Sequence, residues 1–508
     1  MPLLSNGQGW AWANNTASIA GNRNDFIAVD VVGDVITTGE NYLTKRNASG
    51  SIIWTKGPSE FNVVPLSVAT DALGNILVCG FFTHTVTLGT ITLTNVSLHD
   101  IFFAKFDADG NVLWAKGIGG GRYDDAYSIT TDNSGNVLVA GAFSSSSLSF
   151  GATTITTTHT SMFLAKYNTN GHFVWVKEQT DGTYRCVAKS IKTNAAGEIL
   201  VTGYFEGPSI TFGATTLTNA STMTSPDVFV AKYDAAGNVL WAKSAGGKRF
   251  DFPAKLDLDN AGNIYIAGNF DSDTIAFGAV HLGNEALYYF DMFVASYDPG
   301  GNLRWAKRCG EPGDDMLRTI SVSGNSVYVA GTFASNSITF GSTTLTNGSP
   351  GNLRLFLARY NTSGGEEWAL TGGDNGNSID DIYADNAGSI FVTGLFFDTQ
   401  LELGPITLTR TGGSLGDKYV AKYRDGPMEV PTNGATPDIS IAPNPVDDVL
   451  LVTSPVAIKH MQIIDVTGRT VLEKACGSEK VLVNVSQLIP GYYRIILNGR
   501  ATKGFIKR

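Results

Sequence analysis

The chain has 508 residues, too many for one hydrophobic core of ordinary size, so two or more units are expected. Only 16% of residues are charged and 43% are apolar, which excludes a disordered chain and a Glu/Lys/Arg-rich helical one. The net charge of -10 argues against nucleic acid or an anionic membrane as partner, because both reward dense Lys and Arg.

No apolar run approaches the ~20 residues of a membrane-spanning helix. The N-terminal stretch MPLLSNGQGW lacks the charged and apolar segments of a signal peptide. The four cysteines, Cys79, Cys186, Cys309 and Cys476, are scattered and form no CxxC pair, so buried thiols are expected and a disulfide framework is not.

Taken along the chain, the first element is GWAWANN, with Trp10 and Trp12 and no strand partner nearby. A repeat then begins. LTKRNASGSIIWTKG at 43–57 returns as FAKFDADGNVLWAKG at 103–117 and again in each later repeat. The marker position is Lys45, Lys105, Lys166, Lys232, Ser296, Arg359 and Lys422, seven copies in all. The downstream tryptophan has six, Trp54, Trp114, Trp175, Trp241, Trp305 and Trp368. The seventh copy runs into a linker with no tryptophan strand. GWAWANN resembles VLWAKGI, and Trp12 fills the missing place. The expected fold is therefore all-β, a seven-bladed β-propeller over 1–424 that the N-terminal strand closes, through Trp10 and Trp12, by completing the last blade.

Each repeat reads as four strands. Turns such as DADGN and DNSGN join the first strand to the second and the third to the fourth. An Asp or Asn opening the turn, with a left-handed glycine after it, is the chemistry of a type I turn with a bulge. DADGN has some calcium-loop character, but the distant Glu of an EF-hand does not follow. Calcium is the only cofactor the sequence entertains, and no metal or other cofactor is expected.

The opposite face carries all the variation. Long inserts built on LSFGATTITTT and its four counterparts fall there, expected as small hairpins. So do acidic residues in the connections between repeats: Asp124 and Asp125, the single Asp251, Asp314 and Asp315, and Asp380 and Asp381. A partial ring of carboxylates at the channel mouth would suit a cation or a hydroxyl-rich ligand. The structural alternative is that each caps backbone N–H groups between blades. The tryptophans are expected to pack between blades, with sugar stacking the alternative. The six histidines have no metal-binding spacing, and no nucleophile or phosphate-loop motif has its proper context.

After the repeats the composition changes. Residues 425–437 are a Pro/Gly/Thr linker, and 438–508 carry a separate strand pattern expected to form a small Ig-like β-sandwich. Pro443-Asn444-Pro445, the DVTGR turn from Asp465 through Gly468 to Arg469, LIPGYY with Gly491 and Tyr492, and a basic end with Lys503 and Lys507 occur together. This segment closely resembles the type A C-terminal sorting domain of type IX secretion system cargo in Bacteroidota. The repeats are similar to the Bacteroidota-type β-propeller repeat.

The resemblance implies export across the outer membrane, recognition by the type IX translocon and its shuttle protein, and release or surface attachment of the passenger. It also implies a signal peptide, so the sequence is expected to be a processed form. The leading expectation for function is a secreted or cell-surface, non-enzymatic module that binds glycan or protein through the variable face. The alternatives are an extracellular polysaccharide- or peptide-acting enzyme using channel-mouth carboxylates, and a structural scaffold.

Overall fold

The computed structural model describes residues 8–16, 24–179, 183–221, 225–286, 288–373, 376–411, 416–425, 440–465, 469–497 and 501–508. These residues are all strand, turn and loop. They divide into two compact units, whose boundary in the chain falls between residues 428 and 429. Of the linker expected at 425–437, only Asp425 lies within the described residues.

The larger unit contains seven four-stranded antiparallel sheets. Their innermost strands are Phe26–Val29, Val64–Thr70, Asp124–Thr131, Cys186–Thr193, Asp251–Leu258, Asp315–Ser323 and Ser378–Ala384. Each packs against the next, and Ser378–Ala384 packs against Phe26–Val29, so the circuit closes. The result is a propeller-like ring. The second and third strands of each sheet are almost wholly buried; Ile76–Phe82 and Asp100–Phe106, for example, have no exposed residue. Apolar layers such as Leu138, Leu164, Val201 and Phe229 fill the space between successive sheets.

Six sheets are contiguous in the chain; the seventh is not. Its outer strand is Gly9–Asn15, antiparallel to Asp417–Arg424, with Trp10 opposite Tyr423 and Trp12 opposite Lys422. Trp114 stands opposite Lys105 and Trp241 opposite Lys232 in the same way. Two side-chain devices recur. The indole Nε1 of Trp12, Trp54, Trp114, Trp241 and Trp305 donates to a turn carbonyl of the following sheet: Ala48, Ala108, Thr169, Pro299 and Thr362, at 3.1–3.2 Å. The marker lysines turn inward to an acid of their own sheet's first turn: Lys45 to Asp30 at 2.9 Å, Lys105 to Asp71 at 2.8 Å and Lys166 to Asp132 at 2.9 Å. The repeat's most visible residues are thus consumed in holding the ring.

The turns follow the expected chemistry. Asp107 Oδ1 accepts from the N–H groups of Asp109 and Asn111, and Gly110 has φ +81°. A side chain there would have to adopt a left-handed conformation, so the turn selects glycine. On the other face, six two-stranded hairpins interrupt the second through seventh sheets. The first of them, Val86–Leu88 with Ile91–Leu93, has a shorter form than the other five.

The smaller unit is one five-stranded sheet built on Val449–Ile464. The first part of that strand pairs with Ser440–Ala442, its last four residues pair with Gly491–Leu497, and Thr470–Asn484 follows it along both parts. Leu450, Ile458, Met461, Val483, Ile495 and Phe505 make a single core. One long hairpin, Val449–Ile464 with Thr470–Asn484, runs through the whole unit.

Candidate functional site

The acidic positions between repeats do not share one register. Asp124, Asp251 and Asp315 are equivalent, standing opposite Phe143, Phe270 and Phe333. Asp125 follows that position and Asp314 precedes it. Asp380 sits on the bulge between Ile379 and Asp381, farther along its strand. The carboxylates therefore have four different environments.

Asp124, Asp251 and Asp315 are fully buried. Asp124 accepts from the N–H groups of Gly120, Ser144 and Ser145 and from Ser145 Oγ. Asp315 does the same with Glu311, Ala334 and Ser335. These groups pin the connection to the neighbouring hairpin. Burial pushes their carboxyls up, that of Asp315 to about 6, against the opposing pull of the donated hydrogen bonds. Asp314 is exposed and accepts from Phe290 N–H at 3.2 Å.

Asp380 and Asp381 lie at the junction of the seventh and first sheets. Asp25 N–H donates to Asp380 Oδ2, and burial raises the Asp380 carboxyl to about 7, with Asp25 adding to the effect. Asp381 Oδ1 receives Lys255 Nζ at 2.5 Å and Thr319 Oγ1 at 2.7 Å, joining three sheets.

Asp125 stands apart. It lines a cavity of about 340 Å³ between the third and fourth sheets, with Tyr123, Tyr127, Ser144, Thr160 and Arg185. One Asp125 oxygen lies 2.9 Å from His99 Nδ1, and the other accepts from Tyr127 OH at 3.2 Å. The His99 ring stacks on Phe81, 3.8 Å between centroids, and meets the edge of Tyr123, which is 52% exposed. Lys189 Nζ lies 4.0 Å from the centroid of the Tyr127 ring, and burial lowers its pKa while Asp125 opposes the shift. Arg185 reaches Glu206 and Tyr204 OH, both at 3.3 Å.

The cavity's own walls are short or polar on one side, with Ala142 and a hydroxyl pair, Ser144 with Thr160 at 3.2 Å. At the same junction the positions that Asp100 and Asp124 hold one repeat earlier are Ser161 and Cys186, both buried. The site presents an oriented carboxylate acceptor, a guanidinium donor and two aromatic faces, the set that recognises hydroxyl-bearing rings.

Sequence reasoning placed Asp125 on this face but missed Tyr123, Tyr127, His99, Arg185 and Lys189. They come from three successive sheets and from positions that differ between repeats.

In the smaller unit, Pro443-Asn444-Pro445 is tied to the final strand: Asn444 Oδ1 accepts from Ile506 N–H at 2.8 Å. Arg469 Nε reaches Asp465 Oδ2 at 3.3 Å across their turn, while Gly468 lies outside the described residues. Gly491, Tyr492 and Lys503 stand opposite Lys507, Ile506 and Ile495 in the last hairpin. Lys507 Nζ donates to Arg508 O.

Residues 440–508 match the family described as the secretion system C-terminal sorting domain. Over 244 residues the chain is 29% identical to an uncharacterized WD repeat-containing protein of Acanthamoeba polyphaga mimivirus, covering 39% of this chain and 17% of that protein. Over 170 residues it is 23% identical to the regulatory protein FlaEY of Caulobacter vibrioides, covering 33% and 17%. The chain thus spans about a sixth of the length of these relatives.

Two solved structures are similar. One is a β-propeller domain from Myceliophteria thermophila, at 10% identity and TM-score 0.44, covering 82% of this chain and all of that one. The other is a chain of a mitotic checkpoint complex, at 9% and 0.46, covering 84% and 94%. Among the described residues no helix is long and apolar enough to cross a membrane. The C-terminal unit belongs to the type IX secretion system sorting domains, and the rest of the chain is a propeller-like ring of β-sheets.

Proposed function

We propose that this chain is exported cargo whose seven sheets are the blades of one propeller, and that the propeller is a binding module for a glycan. The smaller unit would be recognised by the type IX translocon and shuttle protein and, with its hairpin bent over one core, be of the Ig-like sandwich type. The exported propeller would then act at the cell surface or beyond it, in adhesion or capture. The single observation that carries the binding reading is the cavity at Asp125. There a carboxylate next to the repeated Asp124 position faces open space, held by His99 and Tyr127, beside the exposed Tyr123 ring.

The test is a glycan and host-matrix array with the full chain, its Asp125→Ala and Tyr123→Ala variants, and Asp314→Ala as a control on the same face. Binding lost in the first two and kept in the third supports a lectin-like site. Binding that all three variants retain removes the site from Asp125. Turnover of a glycan on the same panel would instead make the protein a hydrolase.

A further inference from the structure

We infer that Asp227 and Asp251, between the fourth and fifth sheets, form a site for a hard, oxygen-preferring cation of the calcium class. The inference is independent of the glycan reading.

Asp251 N–H donates to the carbonyl of Pro226 at 3.0 Å, which sets the two aspartates side by side at the starts of their strands. They are 1% and 0% exposed. Asp227 Oδ2 accepts from Ala220 N–H at 2.7 Å. Asp251 Oδ2 accepts from Gly247 N–H at 2.6 Å and Ser272 Oγ at 3.0 Å. The remaining oxygen of each, Oδ1, is buried without any partner. Two carboxylates brought together out of water, each with an unused oxygen, require a counter-charge or a proton. Among the described residues, no cationic side chain opposes the burial of either group.

The same chain shows how the requirement is met one repeat later. There Asp291 and Asp315 are joined in the same way, with Asp315 N–H donating to Phe290 O at 3.0 Å. In that pair no fully buried carboxylate oxygen lacks a partner, and Arg308 Nη1 sits on Asp291 Oδ2 at 3.1 Å. Arg308 stands opposite Phe293. The residue in its register in the preceding repeat is Ser244, opposite Phe229. Where the repeat has arginine, the protein supplies the cation. Where it has serine, two carboxylate oxygens go unused.

A third pair supports the pattern. Asp100 and Asp124 have Gly117 in that register, and Asp100 Oδ1 is also unpartnered. Gly246 runs so close that an added Cβ would lie 2.0 Å from Asp227 Cγ, so the main chain is pressed against the pair. Among the described residues no group of three or more His, Cys, Asp or Glu could hold a metal. The other oxygens around the ion would therefore come from carbonyl groups and water, ligands calcium accepts readily.

The experiment uses the full chain, stripped with chelator and then titrated with calcium, reading thermal unfolding and bound metal by equilibrium dialysis. The expected result is a rise in melting temperature with calcium and loss of about one equivalent of bound metal in Ser244→Arg, which installs the cation seen in the next repeat. Asp227→Asn should lose the same equivalent. The Ser244→Arg variant retains both carboxylates, so it remains informative even if Asp227→Asn fails to fold. Calcium uptake and melting shift unchanged in both variants would overturn the inference. So would a metal-independent melting temperature that rises on acidification from pH 8 to 6, which would assign the pair a shared proton.

Discussion

The junction between the third and fourth sheets and that between the seventh and first each hold a carboxylate close to the start of an inner strand, Asp125 in one and Asp25 in the other. They end in opposite states. At the closing junction Asp25 is wholly buried, with Lys418 Nζ at 2.5 Å, Tyr42 OH donating to its other oxygen and Asp380 next to it. Every charge is spent inside the ring. At the other junction Asp125 faces a cavity. A carboxylate at the start of an inner strand is therefore structural wherever backbone donors and lysines consume it. It is available for recognition where its neighbours are short or aromatic.

The largest effect should come from removing residues 1–15. That deletion takes away the strand paired with Asp417–Arg424 and leaves its ladder open. Loss of the cooperative thermal transition, with aggregation on size exclusion, is expected. A deleted chain that melts like its parent would show that the closing strand contributes nothing.

Next in size is Lys418→Met. It leaves Asp25 charged and buried, which costs about 3–5 kcal/mol when one partner of a buried pair is removed. Urea unfolding reads it, and Lys418→Met combined with Asp25→Asn should cost less than the sum of the two single changes. Additive losses would mean that the pair does not act as a unit.

The pH dependence tests the same junction. Burial raises Asp380 to about 7, well above its ordinary 3.8. A group whose pKa is raised on folding holds extra protons in the native state. Its contribution is complete below the unfolded value and is lost as pH rises through the folded one. Melting temperature should therefore fall as pH rises from 5 to about 7; Asp315 and the other raised carboxylates act in the same direction, so Asp380→Asn should reduce that slope. Asp132, Asp234 and Asp298 act in the other direction. Hydrogen bonds from Asn136, Asn238 and Asn302 hold them below the ordinary range, so their contribution is lost only as pH falls through those lowered values. A slope of opposite sign between pH 5 and 8 would mean that Asp380 is ionised in the folded chain.

The ring was legible because its devices repeat. A lysine, a tryptophan and an Asp-Gly turn recur at constant positions, and the structure uses each identically in several sheets. The N-terminal strand was legible for the same reason, since Trp12 donates to Ala48 O as Trp54 does to Ala108 O. The acidic positions misled because adjacent aspartates look alike in sequence. A shift of one residue in a strand turns a side chain to the other face, and Asp380 falls on the bulged position that corresponds to Tyr127, three residues beyond that of Asp124. The cavity itself was invisible. Its walls come from residues far apart in the chain, from Tyr123 to Val187. In the C-terminal unit, composition revealed strands but not that one hairpin, Val449–Ile464 with Thr470–Asn484, would run through the entire sheet.

The smallest stability change separates the two kinds of carboxylate most directly. Asp124→Ala strands the N–H groups of Gly120, Ser144 and Ser145, the last of them buried, and should cost about 1–3 kcal/mol. Asp125→Ala, at the adjacent position, removes contacts only to the side chains of His99 and Tyr127 at the cavity. Both can turn to water there, so the cost should stay near about 0.5 kcal/mol. Parallel chemical denaturation of the two variants gives the difference. Equal losses would mean that Asp125 is as much a part of the frame as Asp124, and that the cavity is a packing defect. A large gap, together with loss of ligand from Asp125→Ala alone, would make position 125 the place where a structural repeat has been turned to binding.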